Sequence, residues 1–175
     1  MAPGDYHLPV SSPRRLPSLG PRGEGWVALQ SVFLIAIPVA AWWASMTQVD
    51  DPAAVAVVRP VGTVALLAGL AVIVVSGAWL QRSRALSALP RPLDRSELVQ
   101  TGPYRFVRHP IYGGLILAAS GVALIRVSLL IAALTVGLAV VLDLKRRREE
   151  AWLLERYPEY AAYRTRTKAL VPNLY

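Results

Sequence analysis

Four blocks of apolar and almost uncharged sequence, at residues 26–43, 60–80, 111–125 and 127–144, set the terms on which this chain can fold. A soluble domain of 175 residues would spread its apolar content through many short elements. Runs of this length match a bilayer instead, and they predict an all-α, polytopic membrane helix bundle of about four spans. The first block is too long for a signal-peptide core, and Trp42-Trp43 near its end suits a membrane interface. The second is preceded by an apolar stretch, residues 53–58, set off by Arg59-Pro60. That stretch either lies at the interface or extends the helix through a kink. Arg126 is the one charge between the third and fourth blocks, so these two form a tight helical hairpin. The first arm of the hairpin is short, roughly 22 Å as helix against a hydrocarbon core of about 30 Å.

The segments between the blocks divide the chain into three parts. Residues 1–25, with five prolines, four glycines and three arginines, read as a flexible N-terminal tail. Residues 26–80 supply two spans joined by a short loop bearing Asp50 and Asp51. Residues 81–175 hold a polar loop with six arginines (Arg82, Arg84, Arg91, Arg95, Arg105 and Arg108), the hairpin, and a polar block opening with Lys145-Arg146-Arg147-Arg148. That last block is expected to run on as a cytosolic amphipathic helix to about Thr167, before the ending Val171-Pro172-Asn173-Leu174-Tyr175.

Charge orients the bundle. Arg14, Arg15 and Arg22 precede the first span, the next loop is acidic, and the loop after the second span is rich in arginine. Four spans with both termini cytoplasmic satisfy the positive-inside rule, in the cell membrane if the source is prokaryotic. Both polar segments beside the hairpin then face the cytosol. The net charge of +8 flanks apolar blocks rather than covering a soluble face, which points to anionic lipid headgroups and away from nucleic acid. With no cysteine and only two histidines, His7 and His109, thiolate chemistry is excluded and a catalytic metal is not expected.

Three features could carry chemistry. Residues 98–114 contain a Gly102-Pro103 turn, an aromatic and basic segment, and the step His109-Pro110 into the third span. Pro110 suits a first helical turn, whose free N–H groups can receive a carboxylate beside His109. Gly113 and Gly114 let a ligand or another helix approach closely. Interface anchoring and helix packing would account for the same residues. The second feature, Glu149-Glu150 after four consecutive bases, balances charge on a solvated face or meets His109 at the shared foot of the hairpin. The third, Tyr160 and Tyr163 one helical turn apart, packs the last helix down or lines a ligand site. No strand-linked Gly-x-Gly-x-x-Gly unit, phosphate-binding loop or Gly-x-Ser-x-Gly is present.

Arg108, His109, Pro110, Tyr112 and Gly114, followed about forty residues later by Glu149-Glu150 and then Leu154, Tyr157, Tyr160, Tyr163 and Pro172, resemble the isoprenylcysteine carboxyl methyltransferase and phospholipid methyltransferase group. The resemblance covers roughly the second half of the chain. It implies an integral membrane enzyme that binds S-adenosylmethionine at the cytosolic interface. It places the cofactor on Leu98, Val99, Tyr104, His109, Pro110, Ile111, Tyr112, Gly114, Glu149 and Glu150, with Lys145 toward the acceptor. The family more often has arginine at the position of Lys145, and lysine lacks the bidentate fork. It also often has a bulkier residue where Gly113 stands. The implied reaction is in-line methyl transfer, for which no catalytic base is assigned. The acceptor, entering from the bilayer, is a prenylcysteine-like carboxylate, a phospholipid amine or a small lipophilic metabolite. Two alternatives remain at this stage: an NADPH-dependent enzyme like the membrane sterol reductases, which tend to differ at Leu115 and Glu149, and a lipid-binding scaffold without activity.

Overall fold

The computed structural model describes residues 17–47, 52–83, 85, 87, 89–91 and 97–171. Residues 1–16 of the expected tail, Asp50 and Asp51, Arg84 and Arg95, and residues 172–175 lie outside that set. The described residues form five α-helices and no strand: α1 (Glu24–Thr47), α2 (Pro52–Arg82), α3 (Pro110–Ile125), α4 (Leu129–Arg156) and α5 (Tyr160–Arg166). A short 3-10 helix, Gly102–Arg105, precedes α3.

Two helices are long and apolar enough to cross a bilayer, over Glu24–Met46 and Val55–Arg82, and Pro110–Ile125 is a shorter apolar one. Both long helices turn large apolar side chains outward, among them Ile35, Trp43, Val64 and Val74. An outer surface of this kind is suited to lipid. Helix α1 begins earlier than its apolar block, with Glu24 in its first turn. Residues 17–23, at the end of the expected tail, fold back on it: Gly25 N–H donates to the Leu19 carbonyl at 2.8 Å and Trp26 Nε1 to that of Pro17 at 3.2 Å. Residues 53–58 belong to α2, which opens on Pro52 and passes through Pro60 without ending. Pro52 stands where its missing N–H would have had no helical partner.

Helices α2 and α3 pack with their backbones in near contact. A Cβ on Gly69 would stand 2.5 Å from Ala118 N, and one on Gly121 would stand 2.5 Å from Leu66 N. Only glycine permits this approach, as in tightly packed membrane helices. Arg59 Nε caps the end of α3 by donating to the Ile125 carbonyl at 3.1 Å. The chain then reverses between α3 and α4. Ser128 N–H bonds the Ala123 carbonyl at 3.2 Å and Val127 N–H that of Leu124 at 3.2 Å, with Val127 left-handed at φ 45°. This is a Schellman ending with valine in the place usually taken by glycine. The Ser128 hydroxyl accepts from Ile131 N–H to start α4.

Helix α4 does not stop at the end of its apolar half. It runs on to Arg156, so Lys145, Glu149 and Glu150 ride on the same rigid rod as the hairpin arm. The stretch expected as one amphipathic helix to about Thr167 is divided. Pro158 forces the residue before it out of helical geometry, and Tyr157 is extended at φ −117°, ψ 109°. Helix α5 starts afresh at Tyr160.

Candidate functional site

The site forms where the start of α3, the charged half of α4 and the end of the chain meet. Gly102, at φ 61°, has the Trp79 ring of α2 against the position a side chain would occupy. Trp79 Nε1 also donates to Thr101 Oγ1 at 3.0 Å, which hangs this segment on α2. After α5 the chain runs back beside residues 107–109. Arg108 N–H bonds the Lys168 carbonyl and His109 N–H that of Ala169, both at 2.9 Å. The Leu170 carbonyl lies 2.9 Å from where a Cβ on Gly113 would be, which gives this chain a steric reason for glycine there. His109 is therefore pinned by backbone on both sides, one residue before Pro110 opens α3.

The adjacent glutamates on α4 turn to different tasks. Glu150 is buried at 3% exposure and gathers three arginines and an imidazole: Arg108 Nε at 2.9 Å, Arg146 Nη1 at 3.3 Å, His109 Nε2 at 3.3 Å and Arg164 Nε at 3.5 Å. Burial alone would raise its carboxyl, but the His109 imidazole and the Arg108 guanidinium outweigh that and hold it down at about 2. Arg108 also donates to the carbonyls of Arg164 and Thr167, tying α5 and the returning chain to the same point. Glu149 faces the other way. Its Oε2 accepts from the Tyr112 hydroxyl at 2.7 Å and lies 3.7 Å from His109 Nδ1. The His109 and Tyr112 rings stack at 5.2 Å. Lys145, one turn earlier and 2% exposed, donates to Gln30 Oε1 of α1 at 2.7 Å, with its ammonium 5.2 Å from the Tyr112 ring centroid.

These groups border a cavity of about 580 Å³, a size suited to a cofactor or drug-sized ligand. Of the residues the sequence singled out, Leu98, Val99, Tyr104, His109, Ile111, Tyr112, Lys145 and Glu149 line it together. The other three do not. Pro110 is buried at the start of α3, Gly114 packs against the Gly69 carbonyl of α2, and Glu150 stands behind the wall among its arginines. Tyr160 and Tyr163 also reach the cavity. The Tyr163 hydroxyl donates to the Tyr104 carbonyl at 2.5 Å, and burial pushes its pKa up to about 12. The Tyr160 hydroxyl is buried with no hydrogen-bond partner among the described residues, and burial raises its pKa.

Sequence reasoning missed the wall supplied by the first two helices: Gln30 from α1, and Ile73, Gly77 and Leu80 from α2. Gln30 left a signal, being the one amide side chain in the first apolar block. The α2 residues left none, because apolar residues and glycine are what a lipid-facing helix also carries.

A helical protein able to cross a bilayer, with a largely apolar cavity edged by His109, Glu149 and Lys145 at the foot of its hairpin, defines the class. The chain belongs to the phospholipid methyltransferase family, whose profile matches residues 58–160. The resemblance read from residues 102–114 and the paired glutamates is borne out by that match. Among curated proteins it is similar to the cobalt-zinc-cadmium resistance protein CzcN of Cupriavidus metallidurans, 36% identical over 78 residues, which are 44% of this chain and 36% of the relative. It is also similar to the nickel-cobalt-cadmium resistance protein NccN of Alcaligenes xylosoxydans xylosoxydans, 35% identical over 80 residues, 45% of this chain and 38% of the relative. The chain thus matches little more than a third of the length of either relative.

Proposed function

We propose that the protein transfers a methyl group from S-adenosylmethionine to a lipophilic acceptor, at the cytosolic face of a four-span membrane bundle with both termini cytoplasmic. The observation that carries this reading is the meeting of His109 and Glu149, forty positions apart in the chain, at 3.7 Å on the wall of one cavity. The donor set suits the cofactor. Glu149 and His109, which line the cavity, offer an acceptor to its ammonium and a donor to its carboxylate or hydroxyls. Leu98, Val99, Tyr104 and Ile111 supply the less polar wall. When bound there, S-adenosylmethionine supplies a methyl group on a sulfonium, the electrophile of an in-line displacement.

The chain's own residues orient and exclude water. Tyr112, stacked on His109 and bonded to Glu149, fixes both side chains, and Glu150 with Arg108 holds the backbone that carries His109. Holding two reactants aligned in this way is worth up to roughly 7–11 kcal/mol in favourable cases. Lys145, held by Gln30, is placed to meet an anionic group of the acceptor. The names of the relatives attach heavy-metal resistance to those proteins. Among the described residues no three His, Asp or Glu side chains form a metal-holding group, and the reading for this chain stays with methyl transfer.

Calorimetry of the detergent-solubilised protein tests the proposal. Saturable binding of S-adenosylhomocysteine is expected, with at least a tenfold loss in Glu149→Gln. Binding of NADPH in place of S-adenosylhomocysteine would overturn it.

A further inference from the structure

The adjacent carboxylates of α4 serve two different cavities. Glu149 lines the one proposed for methyl transfer, while Glu150 borders a second recess of about 600 Å³. Of the residues lining the two, only Arg108 is shared. Five bases surround the second recess: Arg108, Arg146 and Arg147 of α4, Arg164 of α5, and Lys168 of the returning chain. Glu150 is the one acid in its lining. Even with Asp143 counted, which binds Arg146 and Arg147 at 2.5 and 2.7 Å, the bases exceed the carboxylates by three.

Such an excess is unfavourable where charges converge. The side chains of Arg108 and Arg146 are each only 8% exposed, and a buried cation is costly without full counter-charge. Glu150 alone serves three guanidiniums and the His109 imidazole. The Lys168 ammonium at the rim makes no ion pair among the described residues. A multiply charged anion would complete this set, and forked guanidiniums with an ammonium beside them suit the oxygens of a phosphate.

The recess also stands where three separate parts of the chain meet: residue 108, residues 146–147 and residues 164–168. Helix α5 carries Tyr160 and Tyr163 to the first cavity, so an anion held here steadies that wall as well. Arg146 and Arg147 follow directly on the apolar half of α4. On the four-span reading, that is the level of lipid headgroups and their phosphates.

We propose that this recess binds a phosphate group, borne on an anionic lipid or free in solution, which pins α5 and the returning chain to α4. The bound group is not the methyl acceptor, whose cavity is the one that Glu149 lines, and it undergoes no reaction.

Calorimetry and thermal unfolding of the detergent-solubilised chain test the site, in phosphate-free buffer and without any S-adenosyl ligand. The titrants are inorganic phosphate, dioctanoyl phosphatidic acid, which has no amine to methylate, and dioctanoyl phosphatidylcholine, whose phosphate is offset by a choline cation. Saturable binding of one or both of the first two is expected, with a raised unfolding midpoint, and none of the third. Phosphatidic acid binding more than about tenfold tighter than inorganic phosphate assigns the site to lipid, and any smaller ratio assigns it to the free anion. Lys168→Gln should weaken binding at least about threefold, and Arg147→Gln combined with it more than about tenfold. Both residues are exposed, and ligand-free unfolding midpoints near that of the wild type verify that the variants are folded. Arg166→Gln, whose side chain bonds Gln100 instead, removes the same charge elsewhere on α5 and should bind as the wild type does. No saturable binding of either phosphate-bearing titrant overturns the site. So does phosphatidylcholine bound as tightly, binding that the double variant keeps, or an equal loss in Arg166→Gln. These outcomes leave the methyl-transfer reading untouched, since that reading is tested with S-adenosylhomocysteine.

Discussion

The body and the foot of α3 are built on opposite principles. Along its body, Gly114, Ala118 and Gly121 lie against Gly62, Gly69 and Ile73 of α2 with no room for one more carbon atom. Nothing charged takes part, and the attraction is close packing of backbones. At its foot, Arg108, Arg146, Arg164 and His109 gather around the buried carboxylate of Glu150. The first region fixes where the helix lies and depends on shape. The second fixes where one imidazole and one carboxylate point and depends on charge. A membrane enzyme needs both, because the bilayer offers little help in orienting polar groups, while buried charge alone is poor glue.

Removing the charge at the centre of that cluster should produce the largest effect. Glu150→Gln keeps the volume but leaves Arg108 buried without its anion, while Arg146 keeps Asp143, at a cost of about 3–5 kcal/mol. Thermal unfolding in detergent should show it as a lowered midpoint. The same group gives a pH signature. Its folded pKa, held at about 2, lies below the ordinary 4.5, so its contribution is fully present above about pH 4.5. That contribution is lost as pH falls through about 2, and this part of the acid sensitivity should be missing from Glu150→Gln. An unchanged acid profile would show that the carboxylate is not the centre of the network.

Shape should come next. Gly69→Ala adds one methyl group where Ala118 N and the Gly114 carbonyl stand 2.5 and 2.6 Å away, and backbone cannot yield as a side chain would. A loss of about 1–3 kcal/mol is expected. Unlike the Glu150 effect, it should not change as pH falls from about 4.5 toward 2. Neutral behaviour of Gly69→Ala would mean that α2 and α3 pack less closely than their backbones indicate.

The comparison also explains what the sequence could disclose. The helices were readable because long uncharged blocks have few structural solutions, and the hairpin because Arg126 alone interrupts two of them. The foot was readable because His109, Glu149 and Glu150 are costly residues beside a membrane helix and need partners. Partner choice was not readable. Nothing in Glu149-Glu150 says that the first faces the cavity and the second the arginines; that follows from the rotation of about 100° per residue along α4 and from where α5 returns. The break at Pro158 was legible in principle, since a proline disfavours helix in the residue before it. The cavity's α2 wall was not, because an empty space beside Gly77 and a tight fit beside Gly69 are written with the same letter.

The smallest effect expected lies in the turn just beyond the far end of α3, where the backbone itself is under strain. Val127 adopts φ 45° to complete the turn into α4, a conformation that costs an ordinary residue roughly 1–2 kcal/mol. Val127→Gly removes that cost but adds freedom to the unfolded chain, worth about 0.4–1 kcal/mol in the other direction. The side chain is largely exposed at 45%, so little packing is lost. A net stabilisation of up to about 1 kcal/mol is expected, read as a raised unfolding midpoint. A destabilised Val127→Gly would mean that the valine contributes contacts at the turn that outweigh its backbone strain.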